Sequence, residues 1–233
     1  MRFQDAAPDA RAVVYAGIQA EPLVERAASL LASASHEQRV LARAVMNGVS
    51  EDPMTWRAMF PTLFAESATN GPDRDTSEAI LSVALEVAAR GEQVRSQVRG
   101  AIVESLTQHL VGRRASVVAA ARPNGPSAAV RRERRILFDG VRAEIHPYDV
   151  TVELPGRAEA IDCKWGARGI NADVLDQLDD ARAHAADEDE SLVATLVVFD
   201  AQRSCDVRLE RLSAPRTGTR IVGLESLDRL AEG

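Results

Sequence analysis

Lysine is nearly missing from this chain: among 233 residues there is one, Lys164, against 27 arginines. The two cations substitute for one another wherever a charge only solvates a surface. They part company where a compact, rotatable ammonium must sit beside a phosphate or a metal-bound oxygen. A lysine that survives alone is therefore a candidate for chemistry. Cysteine is scarce as well. Cys163 and Cys205 form neither a metal-ligand spacing nor a disulfide framework, which argues against structural zinc and fits a reducing compartment. The four histidines, His36, His109, His146 and His184, show no metal-binding spacing. Long apolar runs are absent: the longest, near 192–199, falls far below the roughly 18 residues of a membrane span. The opening MRFQDAAPDARAVVYAG lacks the charged-then-apolar order of a signal peptide. These absences lead to the expectation of a soluble, cytoplasmic protein with no membrane partner.

What is present is enough for a core. With 45% apolar residues, a chain of this length can bury one substantial core, or one core with a helical extension. Its formal charge of −7 divides unevenly. Residues 1–95 carry 9 Arg against 13 acids, residues 96–170 carry 12 cations against 8 acids, and residues 171–233 carry 7 against 14. Only the middle segment is cationic, and it holds Arg113, Arg114, Arg122 and the run RRERR at 131–135. Affinity for a polyanion follows local clustering more than net charge, so phosphate contact is expected of this segment.

Residues from about 10 to 95 read as helical, with apolar spacings such as Leu23, Ala27, Leu30, Leu31 and Ile80, Val83, Ala84, Val87. Pro53, Pro61 and Asn70-Gly71-Pro72-Asp73 divide them into about four helices, the last capped near Asp75-Thr76-Ser77-Glu78. Trp56, Phe60 and Phe64 fall at helical spacing and read as core. A longer helix follows over about 93–120, with Val103, Leu106, Leu110 and Val111 on one side and Glu104 beside that stripe. After Arg122-Pro123-Asn124-Gly125-Pro126 the pattern changes to strands, expected at 135–144, Tyr148–Leu154, Ala158–Trp165, Leu192–Asp200, Cys205–Leu212 and Arg220–Leu224. One helix interrupts them at about 170–187, and Leu192 to Phe199 reads as a strand buried on both faces. The expected organisation is an all-helical region, 1–95, followed by an α/β domain with a mixed central sheet, 96–233.

Within Tyr148–Leu154, strand alternation places Tyr148, Val150, Val152 and Leu154 on one face and Asp149, Thr151 and Glu153 on the other. In the next strand Ala160, Asp162 and Lys164 share a face, while Ile161, Cys163 and Trp165 take the apolar one. With Pro155-Gly156 as a two-residue loop, Leu154 pairs with Arg157. Counting back sets Val150 opposite Ile161, Asp149 opposite Asp162 and Tyr148 opposite Cys163, with opposed Cβ atoms about 5 Å apart. A longer loop shifts the register and still leaves the two acids neighbours if they stay on one face. Opposed carboxylates repel unless a cation sits between them. Lys164 meets part of that need. A divalent cation, Mg²⁺ or Mn²⁺, meets it better, since Mg²⁺ binds through one or two carboxylates while keeping waters and phosphate oxygens in its shell. These are parts suited to hydrolysing a phosphodiester, with the lysine orienting water or sharing the charge of the pentacovalent state.

Taken together, Glu104 on a helix, Pro147-Tyr148-Asp149 opening a strand, Asp162-Cys163-Lys164 on the next and Gln177 on the following helix resemble the core of the PD-(D/E)xK, restriction-endonuclease-like nucleases. The resemblance covers roughly residues 95–230. It implies a mixed sheet flanked by helices, with Asp149 and Asp162 as metal ligands, the backbone carbonyl of Cys163 as a further ligand, and Lys164 as the catalytic lysine. Glu104 is then an auxiliary ligand or orienter, and Gln177 matches a glutamine that some branches carry. Arg168, in Gly166-Ala167-Arg168-Gly169, is a candidate phosphate contact because the glycines leave the backbone open. Simpler readings stand beside these: Glu104 and Gln177 as helix-surface residues, His146 as a loop residue, and Trp165 packed beneath the sheet.

The expectation is a Mg²⁺-dependent DNA endonuclease, with a homodimer as the natural way to cut both strands. The helical region would bind a protein partner, mediate dimerisation or shape a substrate channel. Defence, repair and mobile elements are not distinguished. Two alternatives stay open: a non-catalytic scaffold on a nuclease-like fold, and a ligand-regulated nuclease acting on RNA.

Overall fold

Four residues at the start of the chain, Arg2–Asp5, form an edge strand, β1. The helices α1 (Ala20–Ala32), α2 (His36–Asn47), α3 (Pro53–Met59) and α4 (Arg74–Ala88) follow, then the 30-residue α5 (Glu92–Ala121). Beyond it come β2 (Ala129–Leu137), β3 (Tyr148–Leu154), β4 (Arg157–Lys164), α6 (Ala172–Asp187), β5 (Ser191–Val198), α7 (Gln202–Arg211) and β6 (Arg220–Val222). This computed structural model describes residues 1–6, 20–65, 73–121, 125, 127–139, 146–212 and 218–232. The chain divides into two units, Asp9–Leu106 and a second made of Met1–Pro8 with Thr107–Gly233. The division expected at residue 95 thus falls inside α5, and the first residues belong with the sheet.

In the helical unit the caps follow local side-chain chemistry. Ser35 and Gln38 close a capping box on α2. Asp52 and Asp73 accept the first amides of α3 and α4, so the α4 cap lies two residues before the expected stretch. Pro53 takes the first turn of α3, where its missing N–H costs nothing. The apolar stripes read from the sequence are buried: Leu23, Ala27, Leu31, Ile80, Val83, Ala84 and Val87 all lie inside. Trp56 is buried too, and its indole N–H donates to the Ser50 carbonyl at 2.9 Å.

In the other unit six strands form one mixed sheet in the order β1-β2-β3-β4-β5-β6. The first four are antiparallel, and β4, β5 and β6 run parallel. A parallel neighbour needs a crossover, which α6 supplies between β4 and β5 and α7 between β5 and β6. Ala158, Ala160, Ala194, Leu196 and Val198 pack with Leu175, Leu178, Ala181 and Ala185 of α6 into one core, joined by Cys205 and Leu209 of α7. On the opposite face, α5 meets the sheet through the Arg114–Glu159 ion pair, at 2.6 Å, and through Thr107.

Three sequence expectations need correction. Cys205–Leu212 is helix, not strand: Cys205 and Leu209, four apart, are buried, while Val207 between them is 39% exposed. Apolar residues at every second position had imitated a strand. Residues 2–5 are strand within the stretch expected to be helical, being too few to show a period. The strand expected at 135–144 begins earlier, at Ala129, and residues 140–145 lie outside the described ones.

Candidate active site

The hairpin that carries the two acids has the register expected of a two-residue Pro155-Gly156 turn. Leu154 pairs with Arg157, and the ladder continues through Glu153↔Ala158, Val152↔Glu159 and Thr151↔Ala160 to Val150↔Ile161. Gly156 takes φ +66, a left-handed conformation that suits a residue without Cβ. The described pairing ends at Val150↔Ile161, one step short of the acids. On the other side of β3, the pairs Arg132↔Val150 and Arg134↔Tyr148 bracket Glu133, which has φ +50. Asp149 therefore stands where regular pairing is interrupted on both flanks.

That interruption changes which way the side chains face. Tyr148 was expected to share a face with Cys163. Instead it joins the α6-side core, and its hydroxyl donates to the Gln177 carbonyl at 3.4 Å. Burial raises the Tyr148 phenol to about 12. Cys163 points the other way, with its thiol 3.4 Å from Thr107 Oγ1 on α5.

Asp149 and Asp162 meet at one backbone amide. The Cys163 N–H donates to Asp149 Oδ2 at 2.6 Å and to Asp162 Oδ1 at 3.0 Å. Lys164 Nζ donates to the same Asp162 oxygen at 2.8 Å. The Asp162 and Lys164 side chains are largely withdrawn from solvent, at 17% and 26% exposure. Burial alone would pull the Lys164 ammonium down. The charge and hydrogen bond of Asp162, with the charge of Asp149, outweigh it and leave Lys164 above the ordinary lysine range. The surrounding carboxylates thus favour the charged ammonium of Lys164 over its neutral amine.

The remaining candidates are placed as follows. Gln177 donates its side-chain amide to the His146 carbonyl at 2.8 Å, clasping the chain just before β3 to α6. Arg168 lies exposed on the 3-10 turn Ala167–Gly169 that follows Lys164. Trp165 stacks on Phe199 with centroids 5.0 Å apart. Glu104 is half-buried on α5 and belongs to the helical unit. Two residues have roles that the sequence reading did not give them. Asp200, just past β5, accepts the Ala167 amide at 3.0 Å. Gly169 lies against the lysine stem, where an added Cβ would stand 3.0 Å from Lys164 Cδ. The glycines around Arg168 had signalled an open backbone; at Gly169 the physical need is close packing.

Among the described residues no three His, Cys, Asp or Glu side chains gather into a metal-holding group. The chemistry of the donors still fits a hard divalent cation. Two carboxylates and one ammonium leave one formal negative charge, and two carboxylates are a sufficient protein share for Mg²⁺ when waters and phosphate oxygens complete the shell. Also among the described residues, no helix is long and apolar enough to cross a membrane.

No protein-family model and no curated protein matches the sequence. Among solved structures the chain is similar to protein VC1899 from Vibrio cholerae, at 20% identity and a TM-score of 0.47. The match covers 99% of this chain and 56% of that one, so the chain spans little more than half the length of that protein.

Proposed function

We propose that this chain is a metal-dependent nuclease hydrolysing phosphodiester bonds in DNA, centred on Asp149, Asp162 and Lys164. The observation that carries the reading is the convergence of both carboxylates on the Cys163 amide, with the chain's one lysine bonded to one of them. The cluster lies at the carboxyl end of β4, and the carboxyl ends of parallel strands are where α/β sheets commonly receive ligands.

The Cys163 amide and Lys164 fix the orientation of Asp162, and the same amide fixes Asp149. These two carboxylates would hold Mg²⁺ or Mn²⁺; the resemblance adds the Cys163 carbonyl. When bound, the cation supplies charge compensation and Lewis acidity at a phosphoryl oxygen. Lys164, keeping its proton, donates to a non-bridging phosphate oxygen and stabilises the charge that grows there as water attacks. Arg168 and the exposed Arg131 on β2 are the candidate contacts to flanking phosphates. Arg134 is set aside from that role by its bonds to Glu153 and Asp5. A homodimer would present two such sites to a duplex.

The test is incubation of purified protein with plasmid, single-stranded DNA and RNA in Mg²⁺, Mn²⁺ or EDTA, beside Lys164→Ala. Cutting of DNA that needs metal and disappears in the variant is expected. Cutting that Lys164→Ala leaves intact, or none by folded wild type under any condition, would overturn the reading. RNA cut in preference to DNA would overturn the choice of substrate.

A further inference from the structure

We propose that Asp200 is a positioning residue for Lys164, acting through the turn that follows β4 and using Gly169 as its point of contact. The proposal rests on the nuclease reading for its catalytic consequence. A lysine carries its charge on a flexible four-carbon stem, so a defined ammonium position needs something to hold the stem as well as the head. The head is held by Asp162 Oδ1. The stem lies against Gly169, where an added Cβ would stand 3.0 Å from Lys164 Cδ and 3.1 Å from its Cβ and Cγ.

Gly169 is kept there by a short chain of hydrogen bonds that leads back to the sheet. Its amide donates to the Gly166 carbonyl at 2.9 Å, and the Ile170 amide donates to the Ala167 carbonyl at 3.1 Å. The amide that opens the turn, Ala167 N–H, donates to Asp200 Oδ2 at 3.0 Å. Arg208 closes the turn from the other side, donating through Nε to the Ile170 carbonyl at 2.8 Å. Asp200 is itself fixed: Oδ1 accepts the Ala201 amide at 2.9 Å and its carbonyl accepts the Leu224 amide at 2.9 Å. One residue earlier, the Phe199 amide donates to the Lys164 carbonyl at 2.9 Å, so the segment just past β5 grips the lysine backbone through Phe199 and the turn over its side chain through Asp200.

Because Lys164 is the only lysine, protein labelled with ¹³C-lysine gives one set of side-chain resonances, and the state of this stem can be read without any activity. Metal-free wild type, Asp200→Ala and Gly169→Ala are compared at one pH. Gly169 has no left-handed φ, so alanine there adds only the Cβ contact and leaves the backbone unstrained. In wild type the two Hε protons should have separate shifts, as a held methylene does. In both variants they should merge toward the free-lysine value, and kcat on DNA should fall about 10- to 100-fold with KM little changed. If Asp200→Ala does not fold, Asp200→Asn takes its place beside Gly169→Ala, since its one carboxamide oxygen cannot accept both the Ala167 and the Ala201 amides. Wild-type resonances retained in the variants overturn the proposal, and so does a loss expressed only in KM. Merged resonances in a protein that cuts no nucleic acid support the positioning role and overturn the nuclease reading instead.

Discussion

Replacing Asp149 by Asn should leave the stability of the metal-free protein nearly unchanged while abolishing its response to metal. The two carboxylate oxygens that share the Cys163 amide lie no farther apart than their combined distances from it, about 5.6 Å. At an effective dielectric of about 20, two unit charges at that separation repel by about 3 kcal/mol. Two losses offset the relief. Asparagine still accepts the Cys163 N–H, but as a neutral acceptor, at a cost of about 1 kcal/mol. Attraction between Asp149 and the Lys164 ammonium also goes; by the same hydrogen-bond path the two lie within about 8.4 Å, worth about 2 kcal/mol at the same dielectric. The opposing effects cancel to within about 1 kcal/mol, or roughly 2–4 °C in Tm for a chain of this size. Wild type should gain about 2.7 kcal/mol at a metal concentration 100 times Kd, since a ligand that binds only the folded state stabilises it by mass action. The assay is a thermal melt of both proteins in EDTA and in rising Mg²⁺ or Mn²⁺. An Asn variant that loses clearly more than about 4 °C in EDTA and still shows the wild-type shift with metal would refute the reasoning, because Asp149 would then be a structural acceptor only.

Two further perturbations test the frame around the site. Burial pushes the Tyr148 phenol up to about 12 in the folded state, from an ordinary value of about 10, so the folded state holds that proton more tightly. Its contribution is complete below pH 10 and is lost as pH rises through 12, by about 3 kcal/mol in all. Urea melts between pH 9 and 12 should show the fall, and Tyr148→Phe should lack this component; equal slopes in the two proteins would refute it. Gly156→Ala should cost about 1–2 kcal/mol, since its φ of +66 disfavours a Cβ although nothing lies within 4 Å of one. An unchanged denaturation midpoint would show that this turn does not set the hairpin.

The hairpin was legible because its signals are local. Period-two alternation and one Pro155-Gly156 punctuation fix every pair from Leu154↔Arg157 to Val150↔Ile161. Lys164 and Asp162 could be placed on one face for the same reason, two residues apart on a strand. Long-range dependences were not legible. β1 exists only because β2 offers it an edge, and four residues carry no period of their own. The helix at Cys205 is favoured where a parallel strand must be reached by a crossover, a demand set by β5 and β6. Asp200 lies 33 residues from the amide it holds, and nothing local marks it.

The most informative miss concerns Asp149 itself. Unbroken alternation would have set two carboxylates directly opposite, with Tyr148 beside Cys163. In the structure Glu133 takes a left-handed conformation that few non-glycine residues adopt, the ladder stops, and Tyr148 turns to the α6 side. The Cys163 amide then lies within reach of both acids instead of being shut inside a strand pair. A sheet optimised for stability alone would continue the ladder and avoid the second carboxylate. Irregular backbone inside β2, an acid at the start of β3 and a second acid with the chain's one lysine at the end of β4 are not what stability alone selects, and under the proposed reading they are what a reactive site requires.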